Sequence, residues 1–156
     1  MMMLTYKLVR LIETHSDTLA AGLLAKVRNS LRLGEYGSVP PEELQQRVYE
    51  IYRHLGEWLL SRREIDLERR YIEIGARRAA QGVPLSQLIW AIILTKENLR
   101  DFLKGESAME RPPEVFGRLE LLELLEQFFD RAIHYAAIGY EQFQATQPVR
   151  EMSTVG

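Results

Sequence analysis

Apolar residues recur every three or four positions along most of this chain, which is the spacing of one face of an α-helix. The cleanest stripe lies between residues 41 and 61, where Val48, Ile51, Leu55 and Trp58 share a face. No stretch shows the strict apolar–polar alternation that is typical of a half-buried strand. The pattern therefore predicts an all-α fold.

Glycine and proline divide this pattern into five predicted helices. They cover about residues 4–31, 41–61, 65–81, 85–104 and 114–145, with loops at 33–41 and 105–113. Ser16 and Asp17 are good capping residues and allow a break within the first helix. Because 156 residues are close to the size of one domain, we expect a single helical bundle of about five helices over residues 1–146. Residues 147–156 are expected to form a flexible tail.

Composition narrows the functional classes. The chain has no cysteine, which excludes disulfides, thiolate catalysis and cysteine-ligated metal. Its net charge is −2, from 20 basic and 22 acidic side chains, unlike a strongly basic nucleic-acid-binding domain. The arginine pairs at 62–63, 69–70 and 77–78 alternate with carboxylates, which favours surface ion pairs over a phosphate track. No apolar run approaches the ~20 residues of a membrane span, so a cytoplasmic protein without a nucleic-acid or membrane partner is expected.

Residue patterns that support catalysis or metal binding do not occur. His15, His54 and His134 lie on different predicted helices, and no pair has the spacing of a helical metal site. The chain lacks a glycine-rich phosphate loop and a nucleophile elbow. These observations predict no enzyme, no metal and no cofactor. One alternative stays open, since a lone histidine can ligate haem in a globin-like sensor.

The junction between the third and fourth predicted helices is the most constrained local feature. Gly82 can end a helix in the left-handed conformation, and Pro84 disfavours helical geometry at Val83. Arg78 points toward the apolar face of its helix, beside Gly75, and a partly buried arginine needs a carboxylate or carbonyl partner. Gly75, Arg78, Gly82 and Pro84 are therefore predicted to form a structural junction.

The last predicted helix is apolar around most of its circumference, so it should be buried on more than one side. We expect one side to face the domain core and the other to form a homodimer. The predicted interface consists of Leu121, Leu124, Leu125 and Phe128. The alternative is that the other helices wrap this helix completely, as in a globin core.

Several stretches resemble a known family. The most specific runs from Tyr71 to Leu88 and includes Gly82-Val-Pro-Leu-Ser86; others lie at 8–15, 47–59 and 128–141. Together they resemble the N-terminal domain of RsbT co-antagonist proteins of the RsbRD type, over about residues 4–145.

The resemblance implies a function. Members of that family are helical input modules of bacterial signalling proteins, described as globin-related without haem, and they share no catalytic residues. We therefore expect a non-enzymatic, stressosome-type sensor module that binds a small-molecule ligand or a partner and shifts the packing of its last helix. Because no output domain follows residue 145, we expect that the signal passes to a signalling protein in trans or that the chain has lost its output. The alternative is a globin-like sensor that binds haem or another cofactor.

Overall fold

The computed structural model describes residues 2–30, 40–61, 63–104 and 115–147. Within these ranges the chain forms six helices and no strand: α1 Met2–Thr14, α2 Ser16–Asn29, α3 Pro41–Ser61, α4 Glu64–Ala80, α5 Leu85–Lys104 and α6 Val115–Ala145. The prediction of an all-α bundle is confirmed. The loops predicted at 33–41 and 105–113 and the tail predicted at 147–156 lie almost wholly outside the described residues.

The first predicted helix is two helices, α1 and α2. The chain leaves helical geometry at His15, where φ is −110° and ψ is 26°. Helical backbone hydrogen bonds continue on both sides, from His15 N to Leu11 O at 3.0 Å and from Leu19 N to His15 O at 2.9 Å. This kink lets α1 pack on α3 and α6 while α2 packs on α3 and α5. One straight helix could not follow both surfaces.

The core lies between all six helices, with α4 and α6 as the most extensively packed pair. The apolar stripes predicted from the sequence point into it. Its largest fully buried side chains are Tyr52, Tyr71, Phe128, Phe129, Leu8, Leu19, Leu55, Leu59, Leu99 and Leu121.

Helices α4 and α6 cross in direct backbone contact. A Cβ atom on Gly75 would lie 1.9 Å from the carbonyl oxygen of Ala136, and one on Gly139 would lie 2.0 Å from the carbonyl oxygen of Ile72. Both distances are far below any non-bonded contact, so the two helices can approach this closely only where each carries a glycine. The close packing of α4 on α6 thus explains why position 75 is a glycine, which the sequence alone did not show.

The position of α6 corrects the predicted dimer interface. Leu121, Leu125 and Phe128 are 1%, 2% and 0% exposed within the single chain, and Leu124 is half-buried against the core. Helices α1, α3, α4 and α5 all pack on α6 and cover the face that the sequence assigned to a second subunit. These three side chains are core residues, and we expect glutamate at these positions to destabilise the fold, because it would bury an unpaired charge. Dimerisation itself stays a prediction.

The α4–α5 junction ends α4 in a Schellman motif. The Gly82 N–H donates to the carbonyl of Ala79 at 3.0 Å, and the Val83 N–H donates to the carbonyl of Arg78 at 3.1 Å. Gly82 has a φ of 77°, in the left-handed region. Pro84 follows directly before α5, and the Tyr140 hydroxyl of α6 donates to the Val83 carbonyl at 2.6 Å. The junction is therefore tied to α6 as well as to its own two helices.

Replacing Gly82 with valine should destabilise the domain through backbone strain. No atom lies within 4 Å of a Cβ at this position, so steric contact with neighbours contributes nothing. A left-handed conformation costs a non-glycine residue about 1–2 kcal/mol. Urea unfolding should show Gly82→Val losing stability in that range, while Gly82→Asn, which tolerates this conformation better, should lose clearly less. Equal stability of all three proteins would contradict a role for the left-handed conformation.

Adding one methyl group at the α4–α6 crossing should be far more damaging. Gly75→Ala and Gly139→Ala each force backbone atoms apart, and overpacking of this kind costs about 1–3 kcal/mol or more. Gly56→Ala in α3 is the matched control, because its new Cβ would meet only Val9 Cγ1 at 3.8 Å. Removing a glycine from a helix interior should leave that control as stable or more stable by about 0.5–1 kcal/mol. Thermal melts in which all three variants behave alike would refute the tight crossing.

Candidate ligand cavity

A cavity of about 80 Å³ lies between α2, α3, α4 and α5. Most of its wall is aliphatic, and polar side chains from α3 and α4 complete it. The lining residues are Leu23, Val27, Arg47, Val48, Glu50, Ile51, His54, Tyr71, Ile74, Arg77, Arg78, Leu88, Ala91, Ile92 and Thr95. An apolar cavity with a few polar groups is the usual form of a small-molecule site.

Three residues that line the cavity each carry a polar atom that is buried without a hydrogen bond in the part of the chain that the structure describes. These atoms are the Tyr71 hydroxyl, Nδ1 of His54 and Nη1 of Arg47. Leaving a buried polar group unsatisfied costs about 1–3 kcal/mol, and more when the group is charged. Because all three residues line one cavity, a polar ligand that reached these atoms would lower the free energy of the folded chain.

Tyr71 connects the cavity to the core. The residue is 2% exposed. Its ring makes edge-to-face contacts with His54, at a centroid distance of 6.4 Å, and with Phe128 of α6, at 5.9 Å. Burial raises the pKa of the Tyr71 hydroxyl above its ordinary value, so the group stays protonated at neutral pH and can donate a hydrogen bond.

His54 is half-buried and neutral. Burial and the nearby Arg70 guanidinium lower its pKa to about 4, against the opposing effect of the Glu57 and Glu50 carboxylates. A neutral imidazole carries one donor nitrogen and one acceptor nitrogen, and their assignment follows from the partner. His54 can therefore either donate to a ligand or accept from one.

Arginine side chains dominate the charge of the wall. Nη2 of Arg47 donates to Glu43 Oε1 at 2.5 Å, which holds the guanidinium in place while Nη1 stays unpartnered in the described chain. Arg78 is 7% exposed and donates to the side-chain carbonyl of Gln81 at 3.1 Å, a partner of the kind expected from the sequence. Arg77 completes the set, and Glu50 is the carboxylate among the lining residues.

A buried polar network joins α2, α3 and α5, and one of its members, Thr95, also lines the cavity. Nδ2 of Asn98 donates to the carbonyl of Leu19 and to the Tyr52 hydroxyl, both at 2.9 Å, and the Tyr52 hydroxyl donates to the Thr95 carbonyl at 3.3 Å. Nζ of Lys26 donates to Oδ1 of Asn98 at 3.1 Å. These bonds join three helices through satisfied groups, so the unsatisfied atoms are confined to the α3–α4 side.

The comparison with known families agrees with this helical architecture. A family model described as the RsbT co-antagonist protein rsbRD N-terminal domain matches residues 17–151. The chain belongs to this rsbRD family. The match starts in α2, so the opening stretch at 8–15, which also carried the resemblance, precedes it. No curated protein and no solved structure matches the chain.

Membership of the rsbRD family makes the chain a regulatory domain of the RsbT co-antagonist type. None of the helices in the described ranges is both long and apolar enough to cross a bilayer. Nor do the described residues bring three or more histidines, aspartates or glutamates together as a metal site.

The haem alternative finds little support in the histidines of this rsbRD chain. His15 contacts Phe102 at a centroid distance of 5.3 Å and its Nδ1 lies 3.1 Å from the Leu11 carbonyl, while His134 is exposed. His54 lines a cavity of about 80 Å³, far below the roughly 300–1,000 Å³ of pockets for drug-sized ligands. That volume has no room for a haem unless the wall rearranges, and the alternative of a cofactor-binding sensor stays a prediction.

A second concavity of about 470 Å³ runs between α1 and α3. Its tyrosines already have partners, since the Tyr49 hydroxyl donates to Asp17 and the Tyr52 hydroxyl bonds to Asn98 and Thr95. No histidine lies among its lining residues. This groove therefore lacks the unsatisfied groups that distinguish the cavity.

The four residues predicted to form the junction lie in different places. Gly82 and Pro84 form the α4–α5 junction, and Gly75 lies at the α4–α6 crossing. Arg78 belongs both to the junction and to the cavity wall. From the sequence, Arg47 was missed and His54 was considered only as a metal or haem ligand. Their signal was their spacing with Ile51, at i, i+4 and i+7, which places both on the core-facing side of α3.

Protonation of His54 should make the domain less stable in acid. The unfolded chain binds this proton near the ordinary pKa of 6.5 and the folded chain only near 4. The free energy of unfolding should therefore fall as pH drops from 6.5 toward 4. Thermal melts between these pH values should show a smaller loss for His54→Gln than for the native chain. His134→Gln, at an exposed site, should keep the native slope; an unchanged slope in His54→Gln would contradict the assignment.

Proposed function

We propose that the chain is a non-enzymatic input module whose cavity controls the packing of α6. Occupation of the cavity changes the position of α4 against α6 and thereby the surface that α6 offers to a signalling protein. The regulatory role comes from the rsbRD family, and the cavity supplies a means of control.

The observation that carries the proposal is the position of Tyr71. Tyr71 lines the cavity, and its ring contacts Phe128, a fully buried residue of α6. Phe128 in turn contacts Trp58 at 5.8 Å and Phe129 at 5.1 Å between centroids. A ligand that moves Tyr71 must therefore repack aromatic rings on α6.

The α4–α6 crossing would pass a movement of α4 on to α6. Because Gly75 and Gly139 place backbone against backbone, α4 cannot tilt into α6 without displacing it. The hydrogen bond from Tyr140 to Val83 extends this coupling to the start of α5. A ligand shifts the equilibrium only as far as its affinities for the two arrangements differ.

The partner is proposed to be a signalling protein that binds in trans. The family description names RsbT as the protein that its members co-antagonise, and a protein of that type is the first candidate. A homodimer and a cytoplasmic location stay predictions from the sequence.

Filling the cavity should change partner binding. Ala91→Leu adds three carbon atoms at a partly buried position of the wall. Ala25→Leu makes the same change at an exposed position of α2 and serves as the control. In affinity capture from the native host, the native chain and Ala25→Leu should retain the same signalling protein in equal amounts, and Ala91→Leu should alter that amount several-fold.

Hydrogen exchange provides an independent measure of the same coupling. Ala91→Leu should change protection in α6 around residues 121–140 as well as in α5, because the effect passes through α4. If the change stays within α5 and capture equals that of the control, the cavity does not control α6 and the proposal fails.

A further inference from the structure

We propose that the cavity binds a small aliphatic monocarboxylate, held at its carboxylate by Arg47 and Tyr71 and along its chain by the apolar wall. This inference rests on the proposed function and adds the chemical class of the ligand.

The excess of positive side chains on the cavity wall favours an anionic ligand. Three arginines line the cavity against one glutamate. Nη1 of Arg47 is buried without a hydrogen bond in the described chain, while Glu43 holds Nη2 of the same guanidinium. Charge-assisted hydrogen bonds from arginine to carboxylate are among the strongest that proteins form.

The donors are complementary to a carboxylate. The hydroxyl of Tyr71, itself 2% exposed and unpartnered among the described residues, can donate to one carboxylate oxygen while Arg47 donates to the other. Nδ1 of His54 can supply a further N–H, since the neutral ring adopts either tautomer. A neutral amide would offer one oxygen in place of two and no charge.

The remaining wall and the volume limit the rest of the ligand. Leu23, Val27, Leu88 and Ile92 present methyl groups, which favour an aliphatic chain over further polar groups. The cavity of about 80 Å³ is roughly half of a 150 Å³ cavity that accepts benzene. A ligand of about three to five heavy atoms fits, which matches acetate or propionate.

Binding is tested by NMR titration of the full chain with propionate, its neutral isostere propionamide, and inorganic phosphate. Propionate should shift the methyl signals of Leu23, Val27 and Ile92 in a saturable way, and propionamide should bind at least about 10-fold more weakly, since a charged hydrogen bond contributes about 1.5–3 kcal/mol. Tighter binding of phosphate, equal binding of propionamide, or no saturable shift with propionate would overturn the proposal.

Substitutions of Tyr71 and Arg47 test whether these side chains bind the carboxylate. Tyr71→Phe removes only an unpartnered hydroxyl, so it should keep the fold and weaken propionate binding about 5-fold; Arg47→Met should weaken it about 10-fold or more. Tyr135→Phe and Arg100→Met are the matched controls, because their side chains bond to Glu64 and Glu126 outside the cavity. If Arg47→Met does not fold, Tyr71→Phe still decides the matter, and native affinity in Tyr71→Phe refutes the proposed contact.

The two proposals can fail separately. If Ala91→Leu alters partner capture but propionate does not bind, control through the cavity stands and the carboxylate class is wrong. If propionate binds while Ala91→Leu leaves capture and α6 exchange unchanged, the site exists but does not regulate the partner.

Discussion

The rest of the structure depends on the backbone contact between α4 and α6. Gly75 and Gly139 remove the side chains that would otherwise hold the two helices apart, and the carbonyls of Ala136 and Ile72 occupy that space. With this contact, α6 lies at the centre of the bundle, where four other helices pack on it. The apolar circumference of α6 is thus used within one chain, because a helix at the centre must be apolar on several sides.

The cavity lies on the side of α4 where side chains, and not backbones, meet the neighbouring helices. Side-chain packing can adjust by rotamer changes, whereas the glycine crossing cannot yield without moving a whole helix. Helix α4 therefore has one set of contacts that can adjust, at the cavity, and one contact that cannot, at the glycine crossing with α6. Tyr71 lies between them, since it lines the cavity and its ring packs against Phe128.

The sequence predicted local structure far better than it predicted the site. The bounds of α3 and α5 follow from their stripes and from Pro41 and Pro84, and the burial of Arg78 follows from its position on the face of Tyr71. The family resemblance was readable for the same reason, since the α4–α5 junction is a short continuous stretch. The place of Arg47 and His54 on one cavity was not predicted, because the other residues of its wall come from other helices, and spacing along one helix does not show which helix faces it.

Helical periodicity, turn residues and composition by themselves determined the all-α class, most helix limits, the left-handed position of Gly82 and the family. These properties depend on interactions within a few residues of the chain, so they can be read in order along it. The tertiary structure alone decided that Leu121, Leu125 and Phe128 belong to the core, that Gly75 meets Ala136, and that three residues with an unsatisfied polar atom line one cavity. Each of these depends on the distance between helices that are remote in sequence, which is set by packing in three dimensions.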